Sequence, residues 1–90
     1  MNNIENRIGC LIRNFESKDM DAQYAAREEL IGMGTLALEP LIDFIGITSY
    51  ADARGLAVSA LTEISGLTLA ETLHWNTEQW MQWWAKNRRS

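Results

Sequence analysis

Asp21-Ala22-Gln23-Tyr24-Ala25-Ala26-Arg27-Glu28-Glu29-Leu30 and Asp52-Ala53-Arg54-Gly55-Leu56-Ala57-Val58-Ser59-Ala60-Leu61 stand 31 residues apart and agree at Asp, at the adjoining Ala, at a second Ala and at Leu. Met33 then falls over Ile64. Self-similarity at this period is the mark of stacked helical units, none of which can bury its apolar face alone, and such arrays commonly present binding surfaces.

Working outward from the pair, the apolar spacing divides the chain into five helices, near residues 3 to 17, 20 to 33, 36 to 46, 50 to 65 and 76 to 88. In the first, Ile4, Ile8, Leu11 and Phe15 recur at intervals of four, three and four, which places them on one stripe with Ile12 beside it. The second starts at Asp19 or Asp21, whose carboxylates suit unpaired helical amides, and should bury Ala22, Ala25, Ala26, Leu30 and Met33. Gly32 and Gly34 mark its end. The third carries Leu38, Leu41, Ile42 and Ile45, with Pro40 in the first turn, where a missing donor is harmless. A short link makes the second and third a helical hairpin. Ala53, Leu56, Ala57, Ala60, Leu61 and Ile64 define the fourth, which Ser65-Gly66 closes. The expected core is Leu30, Leu41, Ile42, Leu56, Ala57, Leu61 and Ile64. From Leu67 to Trp75 no period holds, and the segment reads as a loop with at most one helical turn.

The last helix is specified at its start. Asn76 can cap it, Gln79 can reach back to the cap amide, and Trp75 and Trp80 flank this box as a hydrophobic staple. Trp80, Trp83 and Trp84 share a face, and Lys86, Arg88 and Arg89 follow where cations suit the carboxyl end of a helix. Such a helix reads as a lid that seals the open end of the stack, with exposure of a Trp in a binding groove as the competing reading.

The chain resembles the HEAT-repeat (armadillo-like) family, in the form of a small prokaryotic-type domain. Asp52-Ala53-Arg54, Ala57 and Leu61 fit that repeat, as do Ala26, Leu30, Gly34 and Pro40-Leu41-Ile42, and the run from Ile64-Ser65-Gly66-Leu67 to the Trp-rich end is similar to endings of such domains. Gln23 stands where the repeat has Arg, and the inner helix of the second unit arrives late and without Pro. The resemblance implies an all-α fold over residues 1–90: one domain, a short right-handed α-solenoid of about two and a half helical-hairpin repeats with a Trp-rich C-terminal capping helix. Function does not follow from fold.

Ninety residues, 47% of them hydrophobic, suffice for one small core. A net charge of −4 with both signs interspersed lacks the basic stripe of a nucleic-acid binder. A single Cys10 forms no internal disulfide; Asn2, Asn3, Glu5 and Asn6 lack the basic start of a signal peptide, and no membrane-spanning run is expected. A cytoplasmic monomer or weak homodimer, with neither nucleic acid nor membrane as partner, is the expectation.

Groups that could carry chemistry have bland readings beside them. His74 with Glu71 lacks the converging ligands of a metal site, and Cys10 lies roughly 120° from the apolar stripe of its helix with no base identified near it. Glu28 and Glu29, with Asp19 and Asp21, could offer an acidic patch, though outer-face charges usually only solvate a helix. No catalytic residue, cofactor or metal is expected. The expected function is a non-catalytic protein–protein interaction module, with partner contacts at the solvent-facing Arg7, Asn14, Asp43 and Tyr50. The alternative is a small acidic inhibitor or immunity-type protein that captures a basic enzyme by charge steering.

Overall fold

The computed structural model describes residues 3–88, so Arg89 of the expected basic helix end lies outside it. Helices α1 (Asn3–Arg13), α2 (Met20–Met33), α3 (Leu38–Ile47), α4 (Ala51–Ser65), the single turn α5 (Leu69–Thr72) and α6 (Thr77–Asn87) follow one another, with 3-10 turns at Asn14–Glu16 and Gly34–Ala37. No strand occurs among the described residues. The molecule measures 34 × 32 × 21 Å, so its thinnest dimension is about two helix diameters.

Several helix boundaries have a local cause. The Asp19 carboxylate accepts from the amides of Asp21 and Ala22 and so opens α2. Gly34, at φ 66°, ends it in a conformation that a side chain would strain, and Gly66, at φ 76°, ends α4. Reciprocal hydrogen bonds of Thr68 with Glu71 open α5, and those of Asn76 with Gln79, both 2.9 Å, open α6. The expected box and its staple are both present: the rings of Trp75 and Trp80 meet edge to face, with centroids 5.0 Å apart.

The most extensive backbone packing is of α3 and α2 on α4; α2 also lies on the turn 14–16 and on α1, and α3 on α6. Between α2 and α3 the close backbone contacts run through the turn Gly34–Ala37, and both helices pack on α4. Helices α2 and α4 start at Met20 and Ala51, 31 residues apart, and bury Ala26 with Leu30 and Ala57 with Leu61. Alanines at these places let the two backbones approach closely. Phe15, Leu38, Leu41, Ile42, Ile45 and Trp80 complete the centre of the core.

Other expectations are corrected at the edges. The first helix stops at Arg13, and residues 14–16 tighten into a 3-10 turn; α3 begins at Leu38, after another such turn. Ile4, in the first turn of α1, is 48% exposed where it lines an open cleft with Leu36 and Trp84. Ala25 is exposed, lying roughly 100° round α2 from the Ala22, Ala26, Leu30 and Met33 stripe. Leu56 is only half-buried, as it lines a groove, and Ile64 is half-buried in the last turn of α4. By length and composition alone, Met20–Ile47 could cross a membrane, contrary to the sequence reading; Gly34 and its turn divide it into two helices whose apolar faces enter this core.

Trp80 is fully buried, with Trp75 and Trp83 partly buried against it. Trp84 donates its indole N–H to Glu39 Oε1 at 3.0 Å, and Arg88 reaches the same oxygen at 2.7 Å, which ties α6 to α3. A Cβ on Gly46 of α3 would come within 2.8 Å of Thr77 Oγ1, so the start of α6 lies against bare backbone.

Candidate functional site

The starts of α2 and α4 face each other across the turn Asn14–Glu16, and between them runs a groove in two adjoining parts. The first, of about 550 Å³, is lined by residues including Phe15, Glu16, Lys18, Met20, Gln23, Tyr50 and Asp52. The second, of about 340 Å³, continues between the two helices past Tyr24, Gly55 and Leu56 and shares Met20, Gln23, Ala51 and Asp52 with the first. Large apolar side chains stand open here: Met20 is 62% exposed, Tyr24 54% and Tyr50 60%. Met20 and Tyr24 are one helical turn apart, and Gly55 lies 31 residues beyond Tyr24, so the space beside the tyrosine ring is not filled from α4.

The groove is held open by polar contacts behind it. Gln23 Nε2 donates to the carbonyls of Ser17 and Phe15, at 2.7 and 3.2 Å, and so fixes the turn against α2. Arg54 donates to the Ile45 carbonyl at 2.7 Å and fixes the end of α3 against α4. Thr48 Oγ1 donates to Glu16 Oε2 at 2.7 Å across the groove's edge. Deeper between the helices, Arg27 Nε donates to Ser59 Oγ at 2.9 Å.

Of the four residues proposed for partner contact, only Tyr50 lines this groove. Asn14 opens the neighbouring 3-10 turn and Asp43 is exposed on α3. Arg7 makes a two-pronged ion pair with Glu29 of α2, at 2.6 and 2.7 Å. That hydrogen bond is the largest influence on both groups: it holds the Glu29 carboxyl below its ordinary pKa and raises that of Arg7, with desolvation opposing it in each. The acidic patch is correspondingly reduced, since Glu28 pairs with Arg27 and Asp19 caps α2. Glu16 and Asp52 remain as groove carboxylates, with Asp21 in the first turn of α2 and Lys18 as the lining cation.

A separate cleft of about 560 Å³ lies between α1, α3 and α6, lined by Ile4, Ile8, Leu36, Pro40 and Trp84 among others, with Glu5 and Glu39 at its polar edge. The Glu39 carboxylate there already serves Trp84 and Arg88. Cys10 and His74 are exposed, and neither lines these grooves. Among the described residues no group of three or more His, Cys, Asp and Glu comes together for a metal. What the main groove offers is apolar contact and a few carboxylates.

Sequence reasoning missed Met20, Tyr24 and Gln23 as groove residues. A signal existed for the first two, both large and both off the stripe of the buried Ala26 and the half-buried Ala22. In comparison with known proteins, the chain matches no family model, no curated protein and no solved structure.

Proposed function

We propose that this chain is a non-catalytic, HEAT-like helical-repeat module that holds another protein in the groove between α2 and α4. The observation that carries the reading is the exposure of Met20, Tyr24 and Tyr50 along one continuous groove. Exposed aromatic and Met side chains of this kind form the anchors of protein interfaces. The repeat architecture, a short right-handed solenoid capped by α6, is supported by three observations: α2 and α4 start 31 residues apart, pack together, and carry buried Ala and Leu at matching positions. Arg7, Asn14 and Asp43 lie outside the groove and enter the proposal only as flanking surface.

Charge favours a partner with basic residues around an apolar anchor. Glu16 and Asp52 line the groove with Lys18 as the single cation among the described residues, in a chain of net charge −4. The same observation supports the second reading, an acidic inhibitor or immunity-type protein that captures a basic enzyme.

A photoreactive phenylalanine at position 24 or 50, introduced in the host cell, tests the proposal. Both positions should cross-link one partner, and position 43 should not. No adduct at 24 and 50, or the same adduct at 43, refutes the groove. The association rate of the purified pair separates the readings: a fall of about tenfold or more between low and physiological salt marks charge-steered capture.

A further inference from the structure

The outer face of α6 carries another groove, of about 300 Å³, lined by Trp75, Gln79, Gln82, Trp83 and Lys86. Its aromatic floor is braced, because Trp75 and Trp83 each stand edge to face on the fully buried Trp80, at 5.0 and 6.2 Å. Its polar groups are almost all donors. An indole N–H and an ammonium can only donate, and the indole N–H groups of Trp75 and Trp83, Lys86 and the Gln82 amide have no hydrogen-bond partner among the described residues. Neither of those two indole N–H groups is buried, whereas Trp84 gives its own to Glu39. Gln79 Oε1 already receives the Asn76 amide, which leaves Gln82 Oε1 as the free side-chain acceptor of the groove.

We propose that this face binds an extended, proline-rich peptide segment bearing an acidic residue. A polyproline II strand is rich in acceptors and poor in donors: its carbonyls make no internal hydrogen bonds, and each proline lacks an N–H. Pyrrolidine rings pack on indoles and exposed indole N–H groups meet the carbonyls, which is how aromatic-lined grooves read such strands. From Gln79 to Lys86 the helix rises roughly 10 Å, close to one three-residue turn of polyproline II. Lys86 at the end of the groove then pairs with the acidic residue.

The same inventory disfavours other ligands. A sugar hydroxyl both donates and accepts, and among the described residues the groove offers a single free side-chain acceptor. A nucleic acid needs several cations on its phosphates, but among the described residues Lys86 is the only one lining this groove, and Arg88 is held by Glu39. The surface and its ligand are separate from the Met20, Tyr24 and Tyr50 groove, so each stands or falls by its own experiment.

The test is a two-dimensional nitrogen–proton NMR titration of the whole chain with a synthetic peptide of about nine residues, mostly Pro and Leu with a terminal Glu. Saturable shifts of the Trp75 and Trp83 indole signals, with Kd below about 1 mM, are expected, while the Trp84 indole and the amides of residues 20–24 stay in place. Lys86→Glu should weaken binding about fivefold, as for loss of an exposed ion pair, and Gln82→Ala should weaken it as well; both positions are exposed, and an unchanged amide spectrum certifies the fold. The proposal is overturned by the absence of saturable indole shifts, by undiminished binding to a chain carrying both Lys86→Glu and Gln82→Ala, or by a neutral oligosaccharide or oligodeoxythymidine that binds the same indoles more tightly.

Discussion

Gln23 and Arg54, 31 residues apart, perform the same task with different chemistry. Gln23 donates to the carbonyls of Phe15 and Ser17, and Arg54 donates to the carbonyl of Ile45; each closes the end of the element that precedes its own helix. An amide and a guanidinium thus satisfy orphan carbonyls at matching places. Truncation of either to Ala should cost about 1 kcal/mol, within the usual range for a hydrogen bond to a partly buried group. Urea unfolding of both single variants and the double variant measures this; an unchanged midpoint for both removes the role.

The two leucines of α4 should respond differently to truncation. Leu61 is fully buried, and Leu61→Ala should cost about 2–5 kcal/mol. Leu56 lines the groove and is half-buried, so Leu56→Ala should cost about 1 kcal/mol or less. Equal losses in chemical denaturation would contradict the placement of the groove.

At Gly46, helix propensity and packing oppose each other. Alanine gains up to about 1 kcal/mol over glycine in a helix, yet a Cβ here would lie 2.8 Å from Thr77 Oγ1. Gly46→Ala should therefore fail to stabilise the protein, and should stabilise it once Thr77→Ala has removed the obstructing oxygen. A double-mutant cycle in which the two changes are additive would show that α3 and α6 do not meet there.

Acid should loosen α1 from α2. The Arg7 hydrogen bond holds the Glu29 carboxyl below its ordinary pKa, so the pair contributes fully above the free glutamate value of about 4.3 and is lost as pH falls through the lowered folded value. Carbon-13 NMR titration of the Glu29 carboxyl should place its midpoint below that of a free glutamate. Arg7→Ala should move the midpoint back up; a midpoint indifferent to Arg7 would dissolve the link.

Removal of residues 75–90 should abolish cooperative folding, because it takes Trp80 out of the core together with the Glu39 contacts of Trp84 and Arg88. Calorimetry of the truncated chain should show no unfolding peak. A sharp transition in a monomeric truncated chain would instead make α6 an accessory arm.

Features governed by adjacent residues were the legible ones. Asp19 and Gly34 bound α2, and Asn76 with Gln79 opens α6, because caps and left-handed glycines act within a few residues. The first helix runs shorter than its apolar spacing suggests, and the turn that follows it is held by a residue of another element, Gln23, which donates to Phe15 and Ser17. Leu56 repeats at the spacing of a core residue, and only the shape of the neighbouring helix leaves it half open. The groove was illegible for a related reason: Tyr24, Tyr50 and Gly55 belong to separate elements, and no period within one helix records what another leaves unfilled. Of the four residues proposed from the sequence, Tyr50 joins it; Arg7, whose solvent exposure was foreseen, has a partner 22 positions away that was not.

The packing of the four tryptophans has an optical consequence. Trp75, Trp80, Trp83 and Trp84 follow one another at centroid spacings of 5.0, 6.2 and 6.4 Å, two of the contacts near perpendicular and one near parallel. Chromophores at such spacings couple as one, so the far-ultraviolet circular dichroism of this chain carries an exciton band superimposed on its helical signal. Helix content read from that spectrum will be distorted by the indoles, and intrinsic fluorescence will report the condition of the α6 region rather than an average over the molecule.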